Sequence, residues 1–140
     1  MNNETPKLAV DVICYHPVSG KIALIERKFP PLGWALPGGF VDIGETVEEA
    51  ARREMKEELN VSLKTLQLLG VYSNPKRDPR KHVVSIAFVG IIVDAPVAGD
   101  DAMNVQMHVP DVVTHPHSSW ALCFDHRQII CDARARGLIP

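Results

Sequence analysis

The sequence predicts an α/β (α+β) sandwich, a mixed sheet with a helix packed on either side, and three observations carry that expectation. Segments with strand periodicity outnumber helical ones, and only two helical stretches are long. The length of 140 residues, 46% of them hydrophobic, suits a single domain over 1–140 with a core of its own.

The elements follow in order. KLAVDVICYH (7–16) alternates, setting Leu8, Val10, Val12 and Cys14 on one face of a strand. PVSG then turns the chain into a second strand, KIALIER (21–27). Pro30, Pro31 and Gly33 interrupt regular structure before WALPGGF (34–40). The first helix opens at TVEE, where Thr46 as N-cap and Glu49 three residues on form a capping box, and it runs to about Leu59. Residues 63–73 and 82–93 supply further strands, and the apolar run VVSIAFVGIIV reads as a strand buried on both faces. Residues 94–119, rich in Pro, Gly, Asp and His, are expected to be irregular. A last helix follows CFDHRQII. Asp125 is its expected cap, Gln128 the residue that reaches back, and Phe124 the staple onto Ile129, with Gly137 suited to its end.

Bulk properties exclude several roles. A net charge of −2 gives no electrostatic case for nucleic-acid or acidic membrane partners. No apolar run is long enough to cross a bilayer, and MNNETPK lacks the apolar core of a signal peptide. Cys14, Cys123 and Cys131 are odd in number and form no CxxC pair, so reduced thiols in a cytoplasmic protein are expected.

The chemistry is concentrated in REMKEELNV (53–61). Glu54, Glu57 and Glu58 stand at i, i+3 and i+4, where like charges repel. At 100° per residue Val47, Ala50, Ala51 and Met55 share the half of the helix that holds Glu54 and Glu58, so these charges sit over the packing face. On the other side Glu48 with Arg52 and Glu49 with Arg53 are spaced to pair. Carboxylates placed inward would take up protons unless a cation joins them, and hard oxygen donors suit Mg²⁺ or Mn²⁺. The preceding LPGGFVDIGE places Gly38 and Gly39 where backbone must approach something closely, with carbonyls for a metal and amides for phosphate.

Gly39, five residues, Glu45, seven residues, then REMKEELNV resembles the Nudix box, GX5EX7REUXEEXGU with U aliphatic; Gly39, Glu45, Arg53, Glu54, Met55, Glu57, Glu58 and Val61 all match. Asn60 replaces the motif's last Gly, and Asn is the next-best residue for the left-handed conformation wanted there. VYSNPKRDPRKHVVS (71–85) and FDHRQII are similar to the ADP-ribose pyrophosphatase-like branch of that family. The stretch after GDDA is less typical. Asn104 and Met107 stand where relatives in this branch usually carry Glu and then Trp.

The resemblance implies a Nudix-type sandwich and metal-dependent hydrolysis of a nucleoside diphosphate linked to another moiety. ADP-ribose or a similar nucleotide sugar is the first expectation, giving AMP and ribose 5-phosphate. Oxidised nucleoside triphosphates are the runner-up, and a silent nucleotide sensor is the alternative outside enzymology. Glu54 and Glu58 are the expected metal ligands, with Gly38 contributing and Glu57 holding a second metal or its waters. Arg53 is expected to orient the glutamates, and Glu45 to hold Arg53 or join a metal shell. Asp101 is the expected substitute for the carboxylate missing at Asn104. Arg27, Arg77 and Arg80 are candidate phosphate forks, with the amide of Gly39 beside them. Trp34 and Phe29 are open between base stacking and packing, and His82, His115 and His117 read as packed or solvated. The partner expected is a small nucleoside diphosphate, with a homodimer left open.

Overall fold

A computed structural model describes residues 4–99 and 102–140. Its elements are β1 (Lys7–His16), β2 (Lys21–Arg27), β3 (Trp34–Ala35), β4 (Gly38–Phe40), α1 (Val47–Leu59), β5 (Thr65–Tyr72), β6 (Val83–Ile91), β7 (Ala102–His108), α2 (Pro110–Thr114) and α3 (His126–Ala135). β1 and β6 run parallel from Lys7↔Val83 to Tyr15↔Ile91, and the other pairings are antiparallel, so the sheet is mixed.

Strand alternation sorts the apolar side chains onto two faces. Val10, Val12, Cys14, Ala23, Ile25 and Phe88 meet Ala50, Ala51, Met55 and Leu59 of α1. Ile13, Ile22, Leu24, Ala87 and Val89 meet Ile129, Ile130 and Ala133 of α3. A helix therefore covers each face, as the patterning requires.

One irregularity positions the site. β1 pairs with β2 only at Tyr15↔Ile22 and His16↔Lys21, and the two strands then diverge. β4 enters the gap and pairs with the first half of β1, Ala9↔Phe40 to Asp11↔Gly38. The opening between Ala9–Asp11 and Ile25–Arg27 becomes a cleft, with the glycines of β4 on its wall.

The segment expected to be irregular is so at 94–99 and 115–119, but its middle is regular. β7 pairs with β2 from Ile22↔His108 to Arg27↔Ala102, and Pro110 starts the short α2. Val97 and Gly99 donate to the carbonyls of Leu59 and Glu58, two acceptors that the end of α1 leaves without intrahelical partners. A Cβ on Gly99 would run into the Glu57 carbonyl. Three details of the last helix also differ. Asp125 makes no cap bond at α3, because its carboxylate is taken by Arg77, a stronger charge-assisted partner. Gln128 donates to Asp132, and the Phe124 ring faces Arg27 and Arg80.

The first helix shows the Thr46 half of the expected capping box and, among the described residues, no return bond from the Glu49 side chain. Thr46 Oγ1 accepts from the Glu49 amide at 3.0 Å. Asn60 takes φ 56°, and its side chain donates to Val97 O at 3.0 Å. Asn60→Gly should keep stability within about 1 kcal/mol, trading that bond for conformational ease, whereas Asn60→Ala should lose about 1–2 kcal/mol. Urea denaturation measures both, and an Asn60→Ala protein as stable as wild type would remove the left-handed cap from the explanation.

Candidate active site

The strip of three glutamates divides. Glu58 is 6% exposed, and its Oε2 accepts from the Gly38 amide at 2.9 Å. The Glu54 side chain, 13% exposed, lies so close to Gly39 that a Cβ there would collide with its carboxylate. Both carboxylates border one cleft with Arg27, Gly38 and Gly39. Glu57 stands outside it, its side chain 57% exposed. Among the described residues no three His, Cys, Asp or Glu side chains form a ready metal cage.

Arg53 joins the acidic groups. Its Nε and Nη2 fork onto Glu45 at 2.7 and 2.9 Å, Nη1 reaches Glu54 at 2.9 Å and Glu57 at 3.2 Å, and Nη2 also donates to Phe40 O. The hydrogen bonds that Arg53 donates to Glu45 hold its guanidinium above the ordinary arginine range. The pairing of Glu49 with Arg53 and of Glu48 with Arg52 does not form, because Arg53 turns to the site and Arg52 donates to Leu63 O. A glutamate two turns away outcompetes the i, i+4 neighbour because it offers both oxygens to the fork.

The same cleft also carries cations. The guanidinium carbons of Arg27 and Arg80 lie 5.0 and 5.5 Å from the centre of the Phe124 ring. Arg80 forks onto the buried Asp78 at 3.0 and 2.7 Å, whereas Arg27 donates its Nε to Pro31 O. Burial, and then repulsion from Arg80, pull the Arg27 guanidinium below its ordinary range. An anion entering here would relieve both effects.

A comparison with known proteins decides the family. A profile of the NUDIX domain matches residues 5–128. The chain belongs to the Nudix family. It is 48% identical over 130 residues to the ADP-ribose pyrophosphatase of Methanocaldococcus jannaschii, covering 91% of this chain and 72% of that one. It is 28% identical to the ADPR responsive transcriptional repressor NtrR of Acinetobacter baylyi, covering 94% of this chain but 54% of the repressor. The Nudix domain of Shewanella oneidensis NrtR, crystallised with ADP ribose, superposes with a TM-score of 0.83 at 27% identity, covering 95% and 89% of the two chains.

Within this Nudix domain most of the candidates meet in one place. Glu54, Glu58, Gly38, Gly39, Arg27 and Arg80 border the cleft. Arg77 borders it too, but its side chain is 4% exposed and its fork is closed on Asp125 at 2.9 and 2.7 Å, so it is no free phosphate fork. Asn104, on β7, is exposed, borders neither part of the cleft, and accepts from the neighbouring Val105 amide. Asp101 lies outside the described residues. Trp34 packs edge-on against Trp120 at 5.3 Å, while Phe29 is exposed at the outer mouth. His82 bonds Ser73 O, and His115 and His117 are exposed.

Four cleft groups escaped the sequence reading: Asp11, Asp78, Phe124 and His126. Asp11 had a signal, a charge inside the apolar run LAVDVIC of a strand with two buried faces. Burial alone would raise its carboxyl, but His126, Ser85 and Arg77 outweigh that and hold it below the ordinary carboxylate range.

The Glu45–Arg53 fork has a pH signature. The hydrogen bonds from Arg53, followed by that from the Asp42 amide, lower the Glu45 carboxyl from 4.5 to about 2. A depressed folded value stabilises fully above 4.5, and the contribution is lost as pH falls toward 2. The stability difference between wild type and Glu45→Gln should be constant above pH 4.5 and shrink below it. Thermal melts across this range measure the difference, and one that grows with acid would contradict the fork.

Proposed function

We propose that this Nudix pyrophosphohydrolase cleaves the diphosphate bridge of ADP-ribose or a similar nucleotide sugar, giving AMP and ribose 5-phosphate, with Mg²⁺ or Mn²⁺ as cofactor. The observation that carries the reading is one cleft bordered by two mostly buried carboxylates, Glu54 and Glu58, and by two cations, Arg27 and Arg80, around the Phe124 ring. A diphosphate flanked by two organic groups matches that combination. The kinship with an ADP-ribose pyrophosphatase and with a domain crystallised with ADP ribose supports this substrate class.

The donor set fits a divalent ion. Glu54 and Glu58 offer hard oxygen ligands, and Gly39 leaves the place that the Glu54 carboxylate occupies and a Cβ would take. Glu57, at the rim, and the backbone at Gly38 would complete or support the coordination. When bound, the ion would offset diphosphate charge and make a water easier to deprotonate. Arg53 fixes the aim of Glu54 and Glu57, and Glu45 in turn fixes Arg53. Arg27 and Arg80 would hold the anionic bridge, and Phe124 would lie along an organic flank. Water adds to one phosphorus, the bridging P–O bond breaks, and both products leave as monoesters.

Incubation with ADP-ribose and Mg²⁺, followed by chromatography, should give AMP and ribose 5-phosphate with no inorganic phosphate. Pyrophosphate from an oxidised guanine triphosphate would favour the runner-up. ADP-ribose binding without products would favour a sensor, the reading that the repressor relatives suggest. Glu58→Gln should fold and lose on the order of a hundredfold or more in turnover, the scale of one electrostatic catalytic group. Arg27→Ala should raise KM more than it lowers kcat if it only binds the anion. Near-wild-type turnover by folded Glu58→Gln would remove Glu58 from the chemistry.

A further inference from the structure

A buried polar circuit under the cleft is used by none of these roles. His126, 2% exposed, accepts the Leu36 amide at Nδ1 over 2.9 Å. That donor requires a lone pair on Nδ1, so the ring proton of the neutral imidazole lies on Nε2, which faces Asp11 Oδ1 at 3.3 Å. The other oxygen of Asp11 accepts from Ser85 Oγ at 2.5 Å and lies 3.5 Å from Arg77. Arg77 returns to Asp125, the residue next to His126. Helix α3 thus reaches through the sheet to the cleft that α1 borders from the opposite face.

We propose that His126 is a positioning residue of the active site. Held as the Nε2–H tautomer between Asp11 and the Leu36 amide, it sets the backbone of 36–38 that presents the Gly38 amide to Glu58. The inference rests on the reading of Glu58 as a carboxylate that serves cleavage.

Three contacts fix that short segment, each from a different element. Leu36 N is held by His126 of α3, Pro37 O accepts from Val12 N of β1 at 2.9 Å, and Gly38 N donates to Glu58 of α1 at 2.9 Å. Asp11 links the first contact to the third. A Cβ added at Gly38 would lie 2.8 Å from Asp11 Oδ1, the same oxygen that His126 faces. If His126 released Asp11, Ser85 and Arg77 would still hold Oδ2, but Oδ1 would lose the partner that keeps it off Gly38, and the amide offered to Glu58 would change. Both ring nitrogens are engaged, so His126 has no lone pair with which to take a proton from water. Its part is to orient, not to act as base.

The variants separate the two bonds. Asn at this position can place its oxygen near Nδ1 and keep the Leu36 bond, Gln reaches toward Asp11 and leaves Leu36 unpartnered, and Phe keeps the shape without either bond. The expected kcat loss is about 10–100-fold for His126→Phe and His126→Gln with KM nearly unchanged, and smaller for His126→Asn. A merely structural residue would lower Tm in all three and leave kcat per folded molecule alone. That outcome overturns the proposal.

NMR of the protein without substrate supplies a readout independent of turnover. Wild type should show protonated Nε2 and unprotonated Nδ1 at His126, and His126→Gln, which leaves the Leu36 amide unpartnered, should shift the amides of both Leu36 and Gly38. Protonation on Nδ1, or a Leu36 shift that leaves Gly38 unmoved, overturns the coupling even if His126→Phe fails to fold. If wild type cleaves no diphosphate while the tautomer and the coupled shifts are present, the assignment of function fails and the positioning of Gly38 by His126 stands.

Discussion

The carboxylates of Glu54 and Glu58 are pressed against a stretch of backbone that carries no side chains, and much of the molecule serves to keep them there. Any Cβ at Gly39 would displace Glu54, and Glu58 takes its hydrogen bond from the Gly38 amide. That contact needs β4 beside β1, which in turn needs β1 and β2 to separate after two residue pairs. The cleft follows from the separation. A regular hairpin between β1 and β2 would fill the place where Gly38–Phe40 runs.

Charge is handled by division. Glu57 faces solvent, and Glu54 shares Arg53 with Glu45, so the like charges of the strip are not stacked on one another. Arg53 supports this geometry, because its five donors can serve several carboxylates and a carbonyl together. The same cleft also carries cations. Arg27 and Arg80 repel across Phe124, and of these two only Arg80 forks onto a carboxylate, so an anion entering the cleft would offset the repulsion at Arg27.

Local patterns made β1, β2, α1 and its caps legible, because alternation and capping are written in neighbouring residues. β7 was legible in principle. Asn104, Gln106 and His108 alternate with Met103, Val105 and Met107, but the surrounding Pro, Gly and Asp obscured the period. Arg77 read as a phosphate fork because nothing nearby announces its partner Asp125, 48 residues away. Asp11 and His126 lie 115 positions apart by their numbers, and only the fold brings them under Gly38. The glutamates of the site could be read from spacing; the groups that aim them could not.

The most direct test of the central contact is Mn²⁺ binding by Gly39→Ala. The ion's paramagnetic signal follows free and bound Mn²⁺ without any substrate. The wild-type protein should bind saturably, and Gly39→Ala, folded by circular dichroism, should bind about tenfold more weakly or worse, because the added methyl group displaces Glu54. A folded Gly39→Ala protein that binds Mn²⁺ as tightly as wild type would contradict the proposal that Glu54 is a ligand of the ion.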